Sequence, residues 1–581
     1  MNGARPAGAR RAPRRAPHHH RVLGIGMCLV VAVLIIRLVV VQVLDGSRYA
    51  AYAAGEVNQK VSLPATRGAI YDAGGDLLAV SVPRADVVAD DFQITDPAGE
   101  ARQLARYLHL GQGKLTTLLS QQNGYVVLAK ELPTSTETKI ENLTLSGITF
   151  QADTQRLFPG SQLFQPLVGG VNAAGQGDAA LEYQMNGSLS GRAGSEVVAE
   201  APGGVVLPAG ASDVVPPVQG ASLVLTIDEP LQVEVTRDVE AQMKATHADS
   251  GIAVVEDVHT GAILAMVDLV TGAKGVIGPA QQNLAVTSIY QPGSVMKLAT
   301  IAFAIQDHLI SPDTVFTVPY ALSLGGYIFQ DAELHGTEQL PVRQILAQSS
   351  NIGTIKISQL LGLTRLASAF STLGFGHFTG LGWPGESPGI IGTPSSWLGS
   401  AAGSVPIGTG VAVTPLQVLD AYNSVANGGV EVAPRIVKAT VDATGQEKSL
   451  PPSPTHRTLL ASTVSEVVPM LSGVVQDETG TALEARINGY CVAGKTGTAQ
   501  VPDTTGLGYV PGDWNASFVG FVPAQAPQLS GIVVLNHPDT IYGGVVSAPV
   551  WAQIMSYALR HFSIAPPRAA DGAPATCSVA K

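Results

Sequence analysis

The sequence predicts an α+β protein: an N-terminal membrane helix, an elongated α+β pedestal, and a second domain in which helices sandwich an antiparallel sheet. Three observations carry this prediction. An uncharged apolar run opens at Val22, short β-like runs alternate with turns between Tyr49 and Gly220, and strands, helices, strands and a closing helix follow in that order. The last pattern is that of an α+β sandwich. With 64 glycines, 38 prolines and only 14% charged residues, the composition fits a loop-rich globular body and excludes a coiled coil.

The apolar run VLGIGMCLVVAVLII reaches Ile36, passes Arg37 and continues to Val41, which predicts a membrane-spanning helix over residues 22–44. A cleavable signal peptide has a shorter apolar region that ends in a small-residue cleavage site, whereas this run continues into LVVVQVLDGSRYAAYA. Arg37 lies near the outer end, where its head can snorkel to the interface. Arg5, Arg10, Arg11, Arg14, Arg15 and Arg21 mark residues 1–21 as a disordered tail held in the cytoplasm. The chain beyond Asp45 is then extracytoplasmic, and the protein is expected in the cell membrane as a single-pass protein. The chain carries a formal charge of −11 even with these arginines, so its body is acidic, which excludes nucleic acid as a partner.

Residues 45–220 form the predicted pedestal. VSLPATRGAIYD, GGDLLAVSV and SEVVAEAPGGVVLPA read as strands, and residues 100–121 as one helical stretch. The Pro/Gly-rich passage LPAGASDVVPPVQGA sets the boundary with the second domain, residues 221–562. This domain opens on GIAVVEDVHTGAILAMVDL, two apolar runs about His259-Thr260-Gly261, as in an antiparallel hairpin. SFVGFVP and LSGIVVLNHP repeat the strand pattern. Between them lie the helical segments SVMKLATIAFAIQ, VRQILAQSSNIGTIKISQLLG and PLQVLDAYNSVANGG. The last has Thr414 as N-cap, Pro415 at its first position and Gly428 as its stop. APVWAQIMSYALRHF closes the domain, and residues 563–581 read as a Pro/Ala-rich disordered tail.

Cys28, Cys491 and Cys577 are too few for a disulfide framework, and whether Cys491 pairs with Cys577 is left open by the sequence. His18, His19 and His20 stand in the arginine-rich tail with no cysteine or carboxylate beside them, so no metal is expected, and no cofactor either.

Chemistry concentrates in YQPGSVMK. A Pro292-Gly293 turn leads into an apolar helix, and Ser294 and Lys297, three apart, share one helix face. A serine hydroxyl becomes a nucleophile when a neighbour accepts its proton, and a lysine does so when desolvation and nearby positive charge keep it neutral. Ser578 and Lys581 have the same spacing, but in a tail with no helix to fix them. Downstream stand the single Ser-x-Asn of the chain, Ser349-Ser350-Asn351, and the single Lys-Thr-Gly, in Lys495-Thr496-Gly497-Thr498. Ser-x-x-Lys, Ser-x-Asn and Lys-Thr-Gly in this order are known from penicillin-binding proteins and class A β-lactamases.

The resemblance is to class B penicillin-binding proteins and extends over nearly the whole chain after the arginine tail. RGAIYDAGGDLLA at Arg67–Ala79 and GDAALEYQMNGSLSGRAG at Gly177–Gly194 resemble the pedestal signatures of that class, which soluble β-lactamases lack. TGAILAM, YQPGSVMK, Gly408-Thr409-Gly410 followed by TPLQ, and AGKTGTAQ resemble its transpeptidase domain. The ending SFVGFVPAQAPQLSGIVVLNHP with YGGVVSAPVW is closer to the division-specific members. Three departures stand out: Ala73 where the signature usually has arginine, a stretch from Asp268 to Ala280 without the usual proline-rich form, and Ser350 where others have aspartate.

The resemblance implies D,D-transpeptidation through a Ser294 acyl-enzyme. Lys297 would be its base, Ser349 a proton relay to the leaving amine and Asn351 a hold on the substrate amide. Lys495 would face the terminal carboxylate, with Thr496, Gly497 and Thr498 in the substrate-binding strand, and the backbone N–H groups of Ser294 and Thr498 would form the oxyanion hole. Implied partners are peptidoglycan stem peptides and their lipid-linked precursor, β-lactams, a membrane glycosyltransferase of the shape, elongation, division and sporulation family, and other division proteins. Two other classes share features with this reading. A D,D-carboxypeptidase or β-lactamase-like hydrolase has the same acylation step but rarely needs an anchor and long pedestal. A non-catalytic division scaffold would show a broken motif, and none is broken here.

Overall fold

The computed structural model describes residues 18–45, 58–160, 162–201, 205–206, 214–503, 508–568 and 577. Helix α1 (His18–Val39) continues as a π-helical turn over Val40–Leu44. The apolar stretch Arg21–Leu44 is 24 residues long and none of it is buried. At 1.5 Å per residue it spans about 36 Å, enough to cross the hydrocarbon layer. The helix already includes residues 18–21, which the sequence assigns to the disordered tail; residues 1–17 lie outside the described residues. The chain divides into two compact units, and α1 belongs to the smaller one, Met1–Pro64 with Ala193–Pro217. In that unit Asn58–Leu63 pairs antiparallel with Gly194–Ala201, which also pairs with Val205–Val206 and Val214–Val215.

The larger unit comprises Ala65–Arg192 and Val218–Lys581. Its first strands are β1 (Ile70–Tyr71), the long β2 (Leu77–Ala89), β3 (Val126–Pro133) and β4 (Ile148–Leu157), the last two both paired with β2. The predicted helix over 100–121 is two helices, α2 (Pro97–Leu108) and α3 (Gln112–Leu118). His109, in the left-handed region, ends the first, and Gly111 starts the second. Leu104, Leu108 and Leu115 from these helices share a small core with Val87, Ala89, Val126 and Leu128. Strand β5 (Ser222–Leu225) pairs parallel with β1 and antiparallel with Val437–Val441. One sheet therefore runs across residue 220, where the sequence places a boundary.

The two pedestal signatures meet at one buried carboxylate. Arg67 donates to Glu182 Oε2 at 2.6 Å, and Arg156 donates to Glu182 Oε1 at 2.7 Å. Arg67 also holds Asn186 and Ser190, so Arg67–Ala79 and Gly177–Gly194 are tied together by charge-assisted bonds.

After α4 (Glu229–Thr246) comes the predicted hairpin, β6 (Ser250–Asp257) and β7 (Ile263–Thr271). With β8 (Ile277–Pro279), β9 (Ala493–Pro502), β10 (Tyr509–Val522) and β11 (Leu529–Asn536) it forms a six-stranded antiparallel sheet in the order β8-β7-β6-β11-β10-β9. Among the further helices are α5 (Lys297–Gln306), α6 (Val342–Ala347), α7 (Asn351–Leu361), α8 (Pro415–Ala426), α9 (Ala461–Gln476) and α10 (Ala548–His561). One face of the sheet packs on α4 and α10: a Cβ on Gly251 would meet Val239 and Met243, and one on Gly531 would meet Met555. The other face meets α8, where Asn423 accepts from Ser530 and donates to Glu256. Thr414 caps α8, as its sequence predicts, and does so in a reciprocal capping box with Gln417.

The tail beyond residue 562 does not simply trail away. Tyr490 donates to the Ile564 carbonyl at 2.6 Å, and Cys577 forms a disulfide with Cys491, two residues before β9. This settles the pairing that the sequence leaves open.

Candidate active site

Ser294 and Lys297 are placed by a short, constrained turn. Gly293 sits at φ +61, and a Cβ there would lie 2.7 Å from the Thr498 carbonyl oxygen. Gly408, from the Gly-Thr-Gly segment, crosses it: a Cβ on Gly408 would lie 2.0 Å from the Gly293 carbonyl, and Gly293 N–H donates to Gly408 O at 3.0 Å. Glycine is what allows these backbones to approach. Gly293–Met296 then forms a 3₁₀ turn that runs into α5. Residues three apart share one side of such a turn, so Ser294 and Lys297, at its C-cap, lie on the same side. Ser294 is half-buried, and its hydroxyl has no hydrogen-bond partner among the described residues.

Lys297 is completely buried. Its Nζ donates to Ser349 O at 2.5 Å and Asn351 Oδ1 at 2.8 Å, and lies 3.2 Å from Ser349 Oγ. Burial pushes its pKa down to about 7, against the opposing charge of Asp331. An amine in this state can exchange a proton near neutral pH, as general-base chemistry requires.

Ser349 and Asn351 come from a break in what the sequence presents as one helical segment. Helix α6 ends, Ser349 adopts φ +61, and Ser350 becomes the N-cap of α7 by accepting from Gly353 N–H. A Cβ on Gly353 would lie 2.7 Å from Ile345, so the two helices pack closely at the break. Asn351 Nδ2 donates one N–H to the Gln330 carbonyl at 2.8 Å, and its second N–H remains for a ligand.

Lys495 enters from β9, the edge strand of the six-stranded sheet, and is also completely buried. Its Nζ donates to Ser349 Oγ at 3.0 Å and Thr496 Oγ1 at 3.0 Å. Burial first, and the charge of Lys297 second, hold its pKa well below the ordinary lysine range. The Ser349 hydroxyl thus stands between two buried amines, in hydrogen-bond reach of both. Thr496 Oγ1 is 2.9 Å from Thr481 Oγ1, and Thr498 Oγ1 accepts from Gly543 N–H at 3.3 Å. At Gly497 a Cβ would lie 2.6 Å from the Pro292 carbonyl, which brings β9 against the serine turn.

The five expected catalytic residues and the Lys-Thr-Gly-Thr strand therefore converge; Ser578 lies outside the described residues. Sequence reasoning missed Asp331 and Thr481. A Gly325-Gly326 turn signals the hairpin Ala321–Leu324/Tyr327–Gln330 that precedes Asp331, but no local pattern ties it to Ser350. The only group of three metal-ligating side chains close enough to share an ion among the described residues is Asp72, Asp76 and Glu229, outside this site.

Comparison with known proteins matches two stretches of the chain. Residues 251–556 match the penicillin binding protein transpeptidase domain, and residues 62–225 match the penicillin-binding protein dimerisation domain. The chain is 30% identical over 583 residues to penicillin-binding protein PbpB of Mycobacterium tuberculosis, which covers 94% of this chain and 85% of that protein. It is 30% identical over 517 residues to peptidoglycan D,D-transpeptidase FtsI of Escherichia coli, covering 86% and 84%. The structure of penicillin binding protein 3 from Mycobacterium tuberculosis complexed with ampicillin matches with a TM-score of 0.68 at 27% identity, over 89% of this chain and 100% of that one.

Proposed function

The chain belongs to the class B penicillin-binding proteins and is a serine-type D,D-transpeptidase of peptidoglycan, and from that premise we propose that Ser294 is its nucleophile and Lys297 the base. The observation that carries this reading is the Ser349 hydroxyl bridging Lys297 and Lys495. Neutral Lys297 takes the Ser294 proton as Oγ attacks the carbonyl of the penultimate D-Ala of a stem peptide. The oxyanion forms against the backbone N–H groups of Ser294 and Thr498. Ser349 passes the proton from Lys297 to the departing D-Ala amine, and a neighbouring stem's amine then resolves the ester by the reverse path. Lys495, with Thr496 and Thr498, receives the terminal carboxylate, whose charge restores a proton that burial disfavours. Gly497 keeps the strand close to the serine turn, and the free N–H of Asn351 meets the substrate amide. β-Lactams acylate the same serine.

The apolar helix is that of a single-pass membrane protein. Its arginine-rich flank supports an N-terminus in the cytoplasm and a catalytic domain outside. The working division is 45–220 pedestal and 221–562 transpeptidase domain. The likeness to the division-specific members supports a role at the septum, with a membrane glycosyltransferase of the shape, elongation, division and sporulation family as partner. The test is a fluorescent penicillin added to the purified protein, followed by mass spectrometry of the labelled peptide. An adduct on Ser294 that is lost in Ser294→Ala is expected; an adduct on any other serine would sink the assignment.

A further inference from the structure

A serine held at φ +61 keeps that conformation only where its surroundings over-determine it. The three residues that follow Ser349 are held by Gln330, the last residue of the Tyr327–Gln330 strand, and by Asp331 after it. Gln330 O accepts from Asn351 Nδ2 at 2.8 Å. The buried carboxylate of Asp331 accepts from Ile352 N–H at 3.0 Å through Oδ1 and from the Ser350 hydroxyl at 2.8 Å through Oδ2. Ser350 itself carries no charge, so the carboxylate beside the first turn of α7 reaches in from another segment. It does at the helix N-terminus what an acidic residue does there by charge and hydrogen bonding.

We propose that Asp331 is a positioning residue for acylation: its carboxylate fixes the Ser349-Ser350-Asn351 turn and, together with His335, sets the charge environment in which Lys297 works. This rests on the reading of Ser294 and Lys297 given above. His335 Nε2 lies 3.2 Å from Asp331 Oδ2 while Nδ1 lies 2.6 Å from Gly336 O. With an acceptor on each ring nitrogen, the imidazole is fully satisfied only when both carry protons. Burial pulls its pKa down, but the Gly336 carbonyl and the Asp331 carboxylate more than offset this and hold it above the ordinary histidine range. The groups around Lys297 are Asp331, Lys495 from β9, and the Ser349–Asn351 turn ahead of α7; the Tyr422 phenol of α8 donates to Val295 O and is kept protonated by burial.

The two members of the pair act on Lys297 with opposite sign. The Asp331 anion favours the charged lysine, and a His335 cation paired to that carboxylate offsets it. Second-order rates of penicillin acylation are measured from pH 5.5 to 9.5 for the parent, Asp331→Asn and His335→Gln, with thermal melting of each. In Asp331→Asn the acid limb should move to lower pH by about 1 unit, the scale of a lost opposite charge. The high-pH rate should fall by about tenfold, since an amide cannot accept both donors through two oxygens. In His335→Gln the limb should move to higher pH, by roughly half a unit. His335→Gln stands alone if Asp331→Asn does not fold. Limbs that stay at the parent position, or move the same way in both variants, overturn the proposal while leaving the Ser294 reading intact. Loss of the Ser294 adduct in the parent would instead overturn the reading beneath it.

Discussion

The two motif lysines should respond in opposite ways to arginine. Both are completely buried, and both touch the Ser349 hydroxyl. The proposed mechanism needs Lys297 to lose its proton and Lys495 to present a positive group to the substrate carboxylate. With its pKa pushed down to about 7, most Lys297 is neutral at pH 7.5. An arginine, with a pKa above about 12, is neutral there in roughly one molecule in 10⁴ to 10⁵. Lys297→Arg should therefore lose about four orders of magnitude in acylation rate and match Lys297→Ala. Lys495→Arg keeps the charge but changes its shape, so it should retain measurable acylation where Lys495→Ala loses much more. In the parent the rate should rise with pH through about 7, because deprotonation creates the base. Stopped-flow or gel-based rates of penicillin acylation for the four variants decide the matter, with melting curves to show that each is folded. Lys297→Arg acylating within about tenfold of the parent would be incompatible with Lys297 as the base, and the account of Ser294 activation would fall with it.

Three further outcomes concern the frame around the site. Glu182→Gln leaves Arg67 and Arg156 facing each other without their shared carboxylate and should destabilise the protein by about 3–5 kcal/mol in thermal or denaturant melting; an unchanged melting temperature would mean that this ion cluster contributes nothing. Asp268, fully buried on β7, has its carboxyl pushed up to about 7 by desolvation, against hydrogen bonds from the backbone at Ala285 and Leu284. Between about pH 4 and 7 the unfolded chain has lost a proton that the native state keeps, so stability should fall as pH rises through that window, by up to about 4 kcal/mol. Asp268→Asn should narrow the gap between melting temperatures at pH 5 and pH 8, and an unchanged gap would refute the assignment. Cys577→Ser opens a link between residues 86 apart and should cost about 2–5 kcal/mol while leaving acylation at room temperature intact. Alkylation of a free Cys577 thiol in the unreduced native protein would contradict the pairing.

What could be read from the sequence was what local rules determine. A proline-glycine turn before an apolar run marks the serine helix, Thr414 before Pro415 marks the start of α8, and His259-Thr260-Gly261 separates two runs of strand residues. All three take the expected form. The helix break at Ser349 was harder, because Val342–Leu361 has an unbroken helical pattern of apolar residues. What breaks it is the tertiary grip of Asp331 on Ser350 and Ile352 together with Ser350 acting as a cap. Neither Asp331, 19 residues from Ser350, nor Cys577, 86 residues from Cys491, leaves a periodic signal. Such contacts are decided by packing, which pattern reading does not reach.

The glycines show the same division at the centre of the site. From sequence, Gly293, Gly408 and Gly497 read as parts of three separate motifs, each explicable as a turn or a strand residue. In the structure they are one device. Gly408 lies against the Gly293 carbonyl, Gly293 against the Thr498 carbonyl, and Gly497 against the Pro292 carbonyl. Three backbone segments far apart in sequence are thereby brought within touching distance. In the proposed mechanism the Ser294 and Thr498 N–H groups bracket one oxyanion, which requires β9 to approach the serine turn this closely, and a single methyl at any of the three positions would force them apart. The proposed oxyanion site thus depends less on the donors, which every residue but proline carries, than on the three side chains that are missing.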